Sequence, residues 1–420
     1  MKKQFLCVML SLLVVSCQQV IDTPISTSVV HEQSSIRSQI EAKNIALQSA
    51  IQYRDKFNSK SFDDVFEIKV LENVVTKADG PDTLMYIVNF KDSSGFALIS
   101  ANRNIPALLA LVQEGNYSGG ETDCPPFDMY VESLVSNLAN NNFESPSSTE
   151  MIRYVSDTTV TENRIQPQIT YGWHQGAPFN KYCFSAAGAA SPAGCGAVAI
   201  AHVLSIFSSP TNLQLTYPNA PLSSISIDWT RSKNHNYSHG TCDLCDINAM
   251  LMREIGQKCN MNYTPDASST NLSKMKQCLT YLGYSSEYVT GFDLNSITSS
   301  LYSDKAVIIR GANQTPDGEE GHFWNIDGSY YTKETIRWQK ITGNRPIGQY
   351  AGTEVTENLY LHFEYGWETS LYDGYYLVCS KLSGDSWRFT EPIEIVHVDI
   401  FNSPVGYDTG IFMLTNIHPN

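Results

Sequence analysis

The sequence predicts an α+β fold in two globular domains, and three observations carry that expectation. Before residue 140, a helical apolar period is followed by short strand-like runs. A polar seam rich in Ser, Thr and Asn then spans 140–163. Beyond it, an apolar helix start at Cys195 precedes strand patterns around His322 and Leu359. Hydrophobic residues make up 42% of the 420 and charged residues 17%, a balance that buries a core and is not that of a disordered chain. The formal charge of −15 leaves no basic groove for phosphates, which excludes nucleic acid as a partner class.

The N-terminus has a charged start (Met1, Lys2, Lys3), an apolar run from Phe5 to Val15 and the pair Ser16-Cys17. This reads as an export signal, too short for a mature membrane span. Val14-Val15-Ser16-Cys17 also resembles a lipobox, in which Cys17 takes the lipid and a polar tether follows. Plain secretion with Cys17 near a cut site is the other reading. The sequence therefore predicts a signal with lipobox over 1–17 and an exported protein, either anchored to a membrane by its N-terminal lipid (at the cell surface or in the periplasm) or released by processing.

In the first domain, 18–139, Ala42, Ile45, Ala46, Ala50, Ile51 and Tyr53 have helical spacing within 40–57. Strand-like runs follow at 66–75, 84–90 and 96–100, with a hairpin turn near Asp92-Ser93-Ser94-Gly95, and 105–112 is apolar again. No cluster of titratable residues there looks like a site. Residues 140–164 read as a cleavable linker and 165–420 as the second domain. A small domain, a loose seam and a domain bearing a thiol suggest a zymogen.

The chemistry centres on 172–207. Gly194-Cys195-Gly196-Ala197-Val198 places one cysteine at the start of an apolar helix. A thiol there feels the positive end of the helix macrodipole, which favours thiolate, and small neighbours let a substrate backbone approach. Gln175, in a turn with Gly176 and Pro178, could aim an amide at the same place. A small cysteine buried in a tight helix start would look alike. A nucleophilic thiol needs a base, and His322 follows Gly321 at the head of the strand-like His322–Ile326 run. It lies 127 residues beyond Cys195 (322 − 195), close to papain-like spacing. A third element, 359–376, alternates and then turns through the aromatic corner Tyr365-Gly366-Trp367, which could shield an ion pair from water.

Four motifs, Gln175–Asn180, Gly194–Ala199, Gly321–Gly328 and His362–Trp367, stand in the order found in streptopain-like cysteine proteases (peptidase family C10) of the papain clan, and the chain resembles that family. Shorter matches lie at Ile227-Asp228-Trp229 and in 252–269, and 85–111 is similar to the family's inhibitory propeptide. The resemblance implies a two-lobed papain-like domain, with a helical lobe and an antiparallel sheet or barrel lobe, preceded by a small α+β propeptide domain. It implies Cys195 as nucleophile, His322 as base, and the Gln175 amide with the Cys195 N–H as oxyanion hole. Glu364, Tyr365 and Trp367 would orient or shield the imidazole. Protein or peptide substrates are implied, with an apolar residue before the cleaved one, and the chain's own propeptide as inhibitor; no cofactor is implied.

The chain departs from the family in two places. Glu364 stands where family members usually carry Asn, and a carboxylate there would favour imidazolium more strongly. The segment 331–358 has no counterpart in shorter members and is expected as a loop beside the cleft. Ten cysteines, seven of them after residue 180, suit disulfides in an oxidising compartment. His235, His239, Cys242 and Cys245 have a spacing compatible with zinc, but the compartment favours a Cys242–Cys245 disulfide, and no metal is expected. The expected function is a secreted or surface-tethered cysteine endopeptidase. The alternative is a weak or inactive surface lipoprotein that binds proteins or inhibits proteases.

Overall fold

The computed structural model describes residues 36–54, 65–72, 83–103, 105–140, 153–235, 237, 242–315, 318–341, 349–367, 372–384, 396–398 and 409–420. The expected signal and Cys17 lie outside these residues.

Helix α1 (Gln39–Arg54) begins at a capping box. Ser38 N–H donates to Glu41 Oε2 at 2.8 Å, and Glu41 N–H donates to Ser38 Oγ at 3.3 Å. The helix buries its Ala42, Ala46 and Ala50 row, whereas Ile40 and Ile51 are 72% and 55% exposed. The apolar stripe is therefore narrower than the periodicity alone suggested. Strands β1 (Val65–Glu72), β2 (Thr83–Phe90), β3 (Phe96–Ser100) and β4 (Leu108–Val112) follow, then α2 (Pro125–Asn140). Phe127, Tyr130, Val131, Leu134 and Leu138 form the buried face of α2 at helical spacing.

Strand β5 (Arg153–Ile165) is followed by helix α3 (Cys195–Phe207), the hairpin β6 (Asn212–Gln214) and β7 (Ser224–Ser226), and helices α4 (Trp229–Asn234) and α5 (Asp243–Lys258). Short strands β8 (Asn262–Tyr263) and β9 (Ser268–Ser269) precede α6 (Leu272–Tyr281), β10 (Tyr284–Thr290) and α7 (Leu294–Tyr302). The chain then runs through β11 (Ala306–Thr315), β12 (Gly318–Ile341), β13 (Gln349–Glu364), β14 (Gly374–Gly384), β15 (Val396–Val398) and β16 (Thr409–Pro419).

One antiparallel sheet organises the molecule, in the order β1-β2-β3-β4-β14-β13-β12-β11-β16-β10, with β5 on β12 and β15 on β14. Strand β12 is its axis. Its first half pairs with β11, from Val307↔Ile326 to Thr315↔Gly318. From Ser329 onward the same edge pairs with β5 instead, and β13 runs along the other edge. Alternate residues feed two cores, as a pleated strand requires. Trp324, Ile326 and Tyr330 join a core shared with α1, α2 and β2–β4, while Phe323 joins the core of α3, α5 and α6. The α+β, two-lobed organisation expected from the sequence is what the structure shows.

Three expectations are revised. Half of the supposed linker is strand: β5 pairs with β12 from Ser329↔Ile165 to Ile341↔Arg153, because Thr, Val and Ile in that stretch suit a ladder despite their polar neighbours. Residues 141–152 lie outside the described ones. The segment 331–358 is not a loop but the long β12–β13 hairpin, apart from 342–348, which are not described. The first domain is joined to the second by main-chain pairing, because β4 meets β14 at Gly374↔Val112, Tyr375↔Leu111 and Tyr376↔Ala110.

Candidate active site

Cys195 opens α3, and Gly194 before it has φ +94°, a conformation that disfavours any side chain. A Cβ at Gly194 would also lie 2.9 Å from Met261 Cε. The segment carrying Gln175 is tied to this helix start: Ala193 N–H donates to the Gln175 carbonyl at 2.8 Å, and Asn180 Nδ2 donates to the Ser191 carbonyl at 3.1 Å. His174 Nδ1 accepts from Gly176 N–H at 3.2 Å. Gln175, Cys195, His322 and Trp367 line one cleft of about 550 Å³.

His322, buried at the head of β12, hydrogen-bonds the Cys195 thiol. Its Nε2 lies 2.9 Å from the Tyr365 carbonyl oxygen. A carbonyl only accepts, so Nε2 carries a proton and donates it, which leaves Nδ1 to exchange a proton with the thiol. The Trp367 ring stands edge-on to the imidazole at 5.3 Å, and Trp324 stacks beside it at 6.3 Å. Burial pushes the Cys195 thiol up, but the charge and hydrogen bond of His322, with the N–H groups of Phe323 and Gly196, outweigh it. The thiol is held below its ordinary value.

Glu364 is buried two residues before Gly366, and no hydrogen bond joins it to His322 among the described contacts. Its Oε1 accepts from Gly366 N–H at 3.1 Å, and its carboxyl hydrogen-bonds Asp373. Asp373 Oδ1 in turn accepts from Tyr365 N–H at 2.9 Å. Burial, then the charge of Asp373, raises Glu364 well above the usual carboxylate range. Burial raises Asp373 to about 6, against the hydrogen bonds from Glu364 and Tyr365 N–H. Behind this pair, Asp327 Oδ2 accepts from Gln168 and Ile169 N–H at 2.9 and 2.7 Å, and its Oδ1 meets His362 Nδ1 at 2.6 Å. Asp327 thus pins the segment leading to Gln175 onto β12.

Three features of the cleft were missed by reading the sequence. Pro125, Pro126 and Met129, at the start of α2, line it together with Cys195, so the first domain reaches the thiol. The helical spacing of Phe127, Tyr130, Val131 and Leu134 could have revealed α2. Pro265–Ser268 forms another wall, and His174 a third. Away from the cleft, Cys242 and Cys245 form a disulfide, with His235 Nε2 at 3.1 Å from Cys242 Sγ. The ligand atoms of His235, Cys242 and Cys245 lie within 4.8 Å of one another, and His239 lies outside the described residues.

The Peptidase C10 family model matches residues 173–376. No curated protein sequence matches the chain. Among solved structures, the chain is similar to a cysteine-to-alanine mutant fragment of Prevotella intermedia prointerpain A, at 19% identity and a TM-score of 0.49, covering 84% of this chain and 99% of that one. Active wild-type interpain A cysteine protease from the same organism is similar at 20% identity and a TM-score of 0.39, covering 61% of this chain and 95% of that one. The matched residues take in Gln175, Cys195, His322, Glu364, Trp367 and Asp373 together, and over 173–376 the chain is similar to the peptidase C10 family.

Proposed function

We propose that the protein is a cysteine endopeptidase made as a zymogen and exported, either secreted or tethered through a lipid on Cys17. The observation that carries the catalytic reading is Cys195 hydrogen-bonded to an imidazole whose Nε2 is already committed to the Tyr365 carbonyl. In this reading the thiolate attacks the peptide carbonyl, and the oxyanion takes hydrogen bonds from the Cys195 N–H and the Gln175 amide. The C–N bond breaks as His322 Nδ1 protonates the leaving amine, and water then hydrolyses the acyl-enzyme. Protein or peptide chains are the substrates.

The zymogen reading draws on Pro125, Pro126 and Met129 lining the cleft beside Cys195. Export rests on the sequence of 1–17 alone. Among the described residues no helix is long and apolar enough to cross a membrane. The alternative, a binding protein with weak or no turnover, leaned on Glu364; that argument weakens because the ring's partner is a main-chain carbonyl that Glu364 does not displace.

The decisive test is Cys195→Ala. The purified variant should neither hydrolyse casein nor process itself, since Cys195 is the only thiol among the described residues that line the cleft. Undiminished cleavage by that variant would sink the reading.

A further inference from the structure

His322 is held by a main-chain group, which raises the question of what holds that group. The Tyr365 carbonyl and the Gly366 N–H belong to one peptide unit. Its oxygen accepts from His322 Nε2 at 2.9 Å, and its N–H donates to Glu364 Oε1 at 3.1 Å. The preceding N–H, that of Tyr365, donates to Asp373 Oδ1 at 2.9 Å. Glu364 and Asp373, both buried, are hydrogen-bonded to each other. Two carboxyls bonded in this way share a proton, since two bare carboxylates at that distance repel. On its other side the unit is wedged against α3, where a Cβ at Gly366 would meet Val198 Cγ1 at 2.8 Å.

We propose that Glu364 and Asp373 form a proton-sharing clamp that positions the catalytic base through the Tyr365–Gly366 peptide. This deepens the peptidase reading and rests on it. Glu364 does for His322 indirectly what a side-chain amide would do by contact. Its N–H acceptance also polarises the peptide, making the Tyr365 oxygen a better acceptor for the ring. Both carboxyls are positioning residues and neither touches substrate. The titratable groups facing the clamp are Asp327 on β12, His362 on β13, Tyr376 on β14, Cys124 just before α2, His202 on α3 and Tyr171 in the segment before Gln175.

The test uses the full chain and two readouts: hydrolysis of a fluorogenic peptide, and the pH dependence of iodoacetamide alkylation at Cys195, located by peptide mass. Wild type should show an alkylation inflection below that of an ordinary thiol. E364A should lower kcat on the order of tenfold to a hundredfold with KM little changed, the size expected for a misplaced catalytic group. It should also move the alkylation inflection upward. E364Q, a neutral isostere that can still accept from Gly366 and donate to Asp373, should restore both. If E364A does not fold, E364Q alone decides: it cannot lose the shared proton, so it should hold kcat to higher pH than wild type. An unchanged kcat and inflection in E364A, a loss in E364Q as deep as in E364A, or superimposable alkaline limbs for wild type and E364Q would each overturn the clamp. A wild-type chain with neither hydrolysis nor a low inflection would instead sink the peptidase reading itself.

Discussion

Gly366 is where the conformational demands of the site meet in one residue. Its φ of +63° lies in the left-handed region, and a Cβ would press on Val198 of α3. Gly366→Ala should therefore tilt the peptide that holds His322 and lower kcat/KM about tenfold or more. Val198→Ala in the same chain should recover part of the loss, since it removes the contact but not the φ strain; no recovery would place the whole effect in the backbone. The buried carboxyls give a second expectation at this scale. Asp373 is raised from 3.8 to about 6 by burial, and burial raises Glu364 as well. An acid whose folded value lies above its unfolded one stabilises below the unfolded value, and that contribution is lost as pH rises through the folded one. The two groups thus make the fold less stable between about pH 4 and 6 and above. Urea titrations of E364Q/D373N should show a flatter fall over that range than wild type. Cys195, His322 and Gln175 were legible in the sequence because small-residue helix starts and Gly-His strand heads leave a pattern. The contacts of Glu364 were not, since a bond accepted from a main-chain N–H leaves no mark in residue identity.

The elements divide by how local their causes are. Helix α3 reads directly from its sequence, apolar or small apart from His202, and is buried on nearly every face. Strand β5 does not, because its stability comes from β12, more than 160 residues away in sequence, and the same Thr- and Asn-containing stretch alone looks like a linker. That pairing constrains where the chain can be cut. Arg164 sits opposite Tyr330 in the ladder, with its guanidinium 4.6 Å from the ring, so a protease would have to strip the strand to reach it. Cleavage should fall at or before Ile152-Arg153, leaving β5 on the mature protein. Sequencing the N-terminus of the processed chain checks this. A new terminus at Gln166 or beyond would mean that β5 leaves with the first domain.

At the scale of the whole molecule, the first domain is built into the main sheet rather than hung beside it. Strand β4 pairs with β14, and Phe127 of α2 stacks on Tyr372 at 4.8 Å and meets Tyr117 edge-on at 5.1 Å, all inside one core. The same helix presents Pro125, Pro126 and Met129 to the cleft. Packing and cover are therefore mechanically joined: whatever seats Phe127 also seats the residues beside Cys195. Truncating a fully buried Phe costs about 3–5 kcal/mol, and here that cost falls on the interface that keeps α2 in place. Phe127→Ala in the full chain should react faster at Cys195 with a thiol-directed probe than wild type does, and should process itself sooner. The comparison needs a core truncation away from α2 as a control. Ile255→Ala, in the helical-lobe core, should lower the melting temperature without speeding the probe. Equal probe rates for Phe127→Ala and wild type, at temperatures where both are folded, would show that α2 does not cover the thiol, and the first domain would then serve the sheet without restraining the site.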